Sequence, residues 1–411
     1  MSIYISLAWR NLWRNKRRTL LAALSVFFAV LLATIFRSTQ SGQHSYFIQM
    51  SASMYTGYLQ VQRKGYWDER SFDYSFEEPD SLKNMLPRNP NITTINPRIE
   101  SVALVSHGNE TRITPVTGIV PKSENEMSGL KKRLVKGAYL TDSSRGILIA
   151  GGLAERLQVG IGDSVVLFSQ GYQGATAAEE LPIEGILYFP IPKINNAAVF
   201  LSLAKAQEFF NAYNRITGIA LMLSDPDKIT ETQSSIASQV NSNLVVMSWE
   251  EMSPEIVQAI EADVASEIII MFILYLVIGF GVFGTVMMMT IERTREFGLL
   301  ISLGMKRTKL LLVSTIETLL VSVIGAAAGT AASIPLIYYF YFHPIHLSGD
   351  AAKAMLAYGY EPIIPVSVET FVFTSQSIAV FAIALAASLY PLFFIRKVQP
   401  VSALQGRGGL K

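Results

Sequence analysis

The chain has 411 residues, enough for two or three ordinary domains, and half of them are hydrophobic while only 16% are charged, the balance of a membrane protein. With no cysteine it has neither a disulfide framework nor a thiolate metal site, so its stability must come from burial. A formal net charge of +2 argues against a nucleic-acid binder with a broad basic face, and leaves local charge as the informative kind.

In chain order, residues 1–19 come first. Ile5, Trp9, Leu12 and Trp13 share one helical face while Arg10, Arg14 and Arg17 lie elsewhere, a pattern suited to a helix in the headgroup layer. A merely basic juxtamembrane flank is the alternative. An apolar run then makes residues 20–37 the first span, and "RNKRR" (14–18) before it holds that end in the cytoplasm. A cleaved signal peptide would have a shorter run ending in small residues, whereas this one ends in "ATIFRS", as a retained anchor does.

Residues 38–252 follow as an extracytoplasmic domain. "YLQVQ" (58–62), "RGILIA" (145–150), "SVVLF" (164–168), "AAVFL" (197–201) and "GIALML" (218–223) read as strands. Ser202 is placed to cap one helix, and Asp225 with Pro226 to start another. The expected fold is therefore a membrane protein of α+β class, with a large mixed domain inserted between the first and second of four spans. Ser253 and Pro254 open a stalk helix (253–267) that runs unbroken into the second span (268–290). A cytoplasmic segment (291–309), a third span (310–341), an outer loop (342–370), a fourth span (371–395) and a tail (396–411) complete the chain. Five Lys/Arg precede the first span, five lie from Arg293 to Lys309 and four lie from Arg396 on, but only Lys353 falls between His343 and Glu369. Both termini are therefore expected in the cytoplasm.

Catalytic constellations are wanting. No Gly-Lys dipeptide exists to hold nucleotide phosphates, no G-x-S-x-G elbow appears, and the histidines show no ligand spacing, since Pro344 interrupts "HPIH" (343–346). Glu317 is the acid within a span. A hydrogen bond to a neighbouring helix is its expected role, with proton relay or substrate contact as the alternatives. Gly325 and Gly329 of "GAAAG", the thin "GFGVFG" (279–284), and Ala384 with Ser388 are small-residue surfaces for close helix packing, within this chain or against a partner.

The segment "ERTREFGLLISLGMKR" (292–307) joins the second and third spans. Phe297, Leu300, Ile301 and Leu303 are apolar, Arg293, Arg295 and Glu296 lie on the preceding turn, and Gly298 and Gly304 suggest a short helix bounded by bends. It reads as a plug for another protein's groove or as an interfacial connector that happens to be amphipathic.

The stretch "IERTREFGLLISLGMKRTKLLLVSTIETLLVSVIGAAAG" resembles the signature of the FtsX and MacB superfamily of ABC-transporter permeases, in which E-R-x-x-E-[IF]-G-x-L-x-x-L-G leads into a helix with an acid and a Gly-rich end. Glu292, Arg293, Glu296, Gly298, Leu300, Leu303 and Gly304 match it in place. "AWRNLWRNKRRTLLAALSV", "GGLAERLQVGIGDSVVL" and "RKVQPVSALQ" are similar to its opening, outer-domain and closing motifs.

The resemblance implies that Glu292, Arg293, Arg295, Glu296, Phe297, Gly298, Leu300, Leu303 and Gly304 form a coupling helix docked on an ATPase. It also implies paired permease chains, as homodimer or heterodimer, and mechanotransmission of the ATPase stroke to the outer domains. MacB proper carries its ATPase on the same chain, so here ATP and Mg would be bound by a separate ABC ATPase, and no cofactor by this chain. Domain size is like that of lipoprotein-releasing (Lol-type) permeases of the bacterial inner membrane. Release of lipoproteins, or export of hydrophobic or lipidic substrates from the outer leaflet, is thus expected, with a periplasmic chaperone or adaptor as a further partner beside membrane lipids. An FtsX-like transducer that regulates an envelope enzyme, or MacB-like efflux of drugs or peptides, are the alternatives.

Overall fold

The computed structural model describes residues 2–14, 16–77, 84, 86–189, 191–357 and 361–397. The chain divides into two compact units, one built from Met1–Ser45, Ile260–His346 and Ile363–Lys411, the other from Tyr46–Ala259 and Leu347–Pro362.

The first unit is helical. Among the described residues a short N-terminal helix (Ser2–Arg14) precedes four long apolar helices whose length and composition suit a bilayer crossing. The helix carrying the first span runs from Lys16 to Ser51 with no break at Arg37, and that carrying the second from Pro254 to Glu292. The third runs from Arg307 to Phe342. The fourth is interrupted, with Thr370–Ala387 followed by Leu389–Lys397. Pro391 explains the interruption: it has no N–H for the Ala387 carbonyl, and its ring crowds that turn. The closing motif expected at 396–405 lies, from residue 398 on, outside the described residues.

Small residues set the packing of this bundle. A Cβ added at Gly325 would lie 2.7 Å from the Ala23 carbonyl oxygen, and one at Gly329 2.7 Å from that of Phe27. The "GAAAG" surface is thus occupied inside the chain, by the first span. Val26, Val30, Val282, Val286, Ala326, Val380 and Ala384 form the shared apolar core of all four helices. The second span's Gly281 and Gly284, by contrast, face open space.

Toward the chain's outer loops, Arg37 pairs with Glu267, and His44 with Asp263 at 2.7 Å. Ser38 and Ser367 exchange hydrogen bonds of 2.7 and 2.8 Å. The loop after the third span carries a helix, Gly349–Ala357.

Among the described residues the second unit is built on twelve strands: β1 (Leu59–Arg63), β2 (Phe76–Glu77), β3 (Ile92–His107), β4 (Glu110–Ile119), β5 (Leu134–Gly137), β6 (Ile147–Ala150), β7 (Ser164–Gln170), β8 (Thr176–Leu187), β9 (Val199–Ser202), β10 (Arg215–Ile216), β11 (Gly218–Leu223) and β12 (Leu244–Ser248). Ten of them form one mixed sheet in the order β12-β1-β11-β3-β4-β9-β6-β8-β5, and β7 pairs with both β3 and β8. Six strands, β3-β4-β9-β6-β8-β7, therefore close into a ring. The closure is possible because β3 is 16 residues long and serves two neighbours on one edge, β11 along its first half and β7 at Leu104–Ser106.

Alternation fills the ring. Val105, Val116, Leu167 and Leu181 point inward and are fully or almost fully buried, while Leu104, Pro115, Phe168 and Pro182 point out. Ser202 caps the helix Leu203–Phe209 as expected, its hydroxyl accepting from the Lys205 N–H. Asp225 caps only a 3-10 turn (Pro226–Lys228), and the regular helix begins at Ile229.

Candidate functional site: the connecting helix

Between the second and third spans the chain forms one short helix, Thr294–Ser302. Gly298 does not bound it. That residue is buried in its interior, and the break at the front falls at Arg293 instead. Gly304 does end the helix, at φ +88°, a backbone region open to glycine at no steric cost. The Gly304 N–H bonds to the Ile301 carbonyl and the Met305 N–H to that of Leu300, both at 3.0 Å, a Schellman motif in which Met305 and Leu300 join one apolar cluster.

The inner face of this helix is clamped twice, once by charge and once by burial. Arg293, 5% exposed, forms an ion pair with Glu317 of the third span, which is 3% exposed. Asn11 of the N-terminal helix donates to the same carboxylate at 2.7 Å. Arg293 also donates to Glu296 at 3.1 Å, and Glu296 accepts from Arg14 at 2.8 Å. Asn11 and Arg14, one turn apart, thus grip the third span and the connecting helix together. Burial works against the Arg293 charge, but the carboxylates of Glu317 and then Glu296 hold its pKa above the ordinary arginine value. Phe297 is the second clamp, seated with Leu310, Leu311 and Ile395, and with Leu300 and Ile301 beside it.

The outer face is different. Glu292, Arg295, Leu299 and Leu303 follow one another at helical spacing and are all exposed, Leu303 to 75%. The residues expected to couple to a partner therefore divide. Arg293, Phe297 and Gly298 point inward, Leu300 and Glu296 are half-buried, and Glu292, Arg295, Leu303 and Gly304 are outside. Sequence reasoning omitted Leu299, which the 3.6-residue period places opposite Phe297. It also omitted Asn11 and Arg14, for which only spatial proximity is a signal.

Of the packing residues, Glu317, Gly325 and Gly329 lie on one stripe of the third span, at four-residue spacing with Val321. The N-terminal helix likewise has two faces. Ala8 and Leu12 are buried, Leu12 beside Val321, while Ile5, Trp9 and Trp13 are exposed, the two indoles edge to face at 6.0 Å.

Comparison with known proteins agrees with this layout. The family model "MacB-like periplasmic core domain" matches residues 19–239, more than half of the chain, and "FtsX-like permease C-terminal" matches residues 268–400. The lipoprotein-releasing system transmembrane protein LolC of Xylella fastidiosa is 22% identical over 329 residues, covering 77% of this chain and 78% of that one. LolE of Haemophilus influenzae is 22% identical over 333 residues, with 79% and 80% covered. The crystal structure of the periplasmic region of MacB from Actinobacillus actinomycetemcomitans aligns with a TM-score of 0.34 at 17% identity, over 51% of this chain and 94% of that one. The chain belongs to the FtsX- and MacB-like family of ABC-transporter permeases, as a multi-pass protein of the inner membrane that works with an ABC ATPase and a second permease chain.

Proposed function

We propose that this permease releases lipoproteins from the outer leaflet of the inner membrane, driven mechanically by a separate ATPase that docks on the exposed face of the connecting helix. The observation that carries the reading is the helix's two-sided character. A docking element must be free on one side and fixed on the other, and Leu299 and Leu303 are exposed opposite the buried Arg293 and Phe297.

A push on the outer face reaches the third span through the Arg293–Glu317 pair and the Phe297 contacts. It reaches the second span directly, because the helix Pro254–Glu292 ends just before the connecting helix begins. ATP and Mg would be held by the ATPase, this chain supplying the lever. Lipoprotein as cargo is supported by the relatives, which are named for lipoprotein release. Both termini and residues 291–309 would lie on the cytoplasmic side.

The test is the double substitution Leu299→Glu with Leu303→Glu, two exposed positions where a carboxylate does not disturb the bundle. Release of an acylated protein from proteoliposomes should fall about tenfold or more, as expected for removal of an apolar anchor from an interface, with the chain still folded and inserted. Full release activity would overturn the assignment.

A further inference from the structure

The outward face of the six-stranded ring carries a second candidate site, wholly within the outer unit. Arg98, Glu100, Val102 and Leu104 alternate onto this face of β3. The register sets Thr117, Pro115 and Ile113 of β4 beside Glu100, Val102 and Leu104, and Phe200 of β9 beside Thr117. At the Glu100 end the floor is roofed by the helix Tyr66–Glu69, the helix Pro121–Ser128 and the turn Pro192–Asn195, enclosing a cavity of about 530 Å³. That volume is within the range of small-ligand sites, about 300–1,000 Å³. At the Leu104 end the apolar floor continues into a second, more open cavity of about 780 Å³, walled by Arg70–Asp73 and by Gly171, Gly174 and Ala175, with Ile113 71% and Phe168 49% exposed, so that an apolar strip of roughly 13 Å, four strand residues, leads out of the first cavity.

The polar groups are not distributed evenly. Arg98 and Glu124 are both almost fully buried and satisfy each other. The cationic side chains of the more open wall are Arg70 and Lys193. Arg70 stands over the Trp67 ring, 3.5 Å from its centroid, and reaches Glu100 at 3.3 Å. Its backbone is left-handed, φ +50°, a conformation an arginine adopts only when its surroundings impose it. Here its N–H bonds to the Tyr66 carbonyl and its side chain lies on Trp67. A long apolar floor with a fixed cation at its roofed end matches an amphiphile with an anionic head.

We propose that this trough binds one acyl chain carrying an anionic head, the head at Arg70 and Lys193 and the chain along Val102, Pro115 and Ile113. The inference is independent of the docking face on the connecting helix, and its failure would leave that reading intact.

The experiment uses the full chain in nanodiscs of zwitterionic phosphatidylcholine, photolabelled with diazirine palmitate, diazirine phosphatidylglycerol or, as a neutral control, diazirine hexadecanol, the labelled peptides being mapped by mass spectrometry. One or both anionic probes should label residues 98–119 and 192–202 well above the control. Palmitate alone identifies a free fatty acid as occupant, and phosphatidylglycerol alone a membrane phospholipid. Val102→Trp, which fills the trough at a half-exposed position, should lower the labelling about tenfold. Arg70→Gln with Lys193→Gln should bring the anionic probes down to the level of the alcohol. Ile113→Glu, at the open end, repeats the test where folding is least at risk. Labelling by neither anionic probe, labelling unchanged in Val102→Trp and Ile113→Glu, or equal labelling by hexadecanol would each overturn the proposal.

Discussion

Glu317 illustrates how a costly residue is retained. A carboxylate in a membrane helix is unfavourable unless it is partnered, and here it has two partners, the Arg293 guanidinium and the Asn11 amide. The pair lies where the third span meets the connecting helix, so it fixes that helix's orientation rather than serving as a free proton carrier. Breaking a buried pair from one side costs about 3–5 kcal/mol, because the remaining charge is stranded. Glu317→Ala should therefore lower the thermal unfolding temperature of the detergent-solubilised chain clearly, and adding Arg293→Met should restore most of it. If the single and double variants melt alike, the pair is not what holds the helix. Charge reversal at Arg293 would confound coupling with stability for the same reason. Arg295, exposed on the outer face, is the cleaner site for such a change.

Among elements, the third span shows how a small-residue stripe does structural work. Gly325 and Gly329 let it approach the first span's backbone so closely that no side chain fits. Gly325→Leu should lower stability by about 2 kcal/mol or more through overpacking, measured as a loss of folded protein on heating. Gly281→Leu and Gly284→Leu in the second span, where nothing lies within 4 Å, should leave the chain folded. Equal damage at all three positions would contradict the packing described.

The strands teach a related lesson about legibility. β1, β6, β7, β9 and β11 announce themselves by short apolar runs, whereas β3, β4 and β8 are hidden by Pro97, Pro115 and Pro182, residues that usually exclude a strand interior. In each case the proline is tolerated for one reason. β3 has only β11 beside it at Pro97 and acquires β4 at Arg98, β4 has only β3 at Pro115 and acquires β9 at Val116, and β8 has only β7 at Pro182 and takes up β6 from Ile183, so each proline sits where its strand is paired on one edge alone. Nothing in the local sequence reveals that, and the closed ring followed only from the long-range register.

At the scale of the whole molecule, the four spans, the inserted α/β domain and the connecting helix were legible because each rests on a long periodic or compositional signal. The direction of each side chain on the connecting helix was not. The motif from Glu292 to Gly304 mixes both faces: Arg293, Phe297 and Gly298 hold the helix to the bundle, while Glu292, Arg295 and Leu303, joined by Leu299, are exposed on the other side. The same separation makes the mechanical account testable in one experiment. Because the chain has no cysteine, single cysteines can be introduced from position 292 to position 306 without any background, and cross-linked in membranes to the co-expressed ATPase. The account predicts strong cross-links at 295, 299 and 303 and none at 293, 297 or 298. Cross-linking at every position, at the buried ones alone, or at none would contradict it.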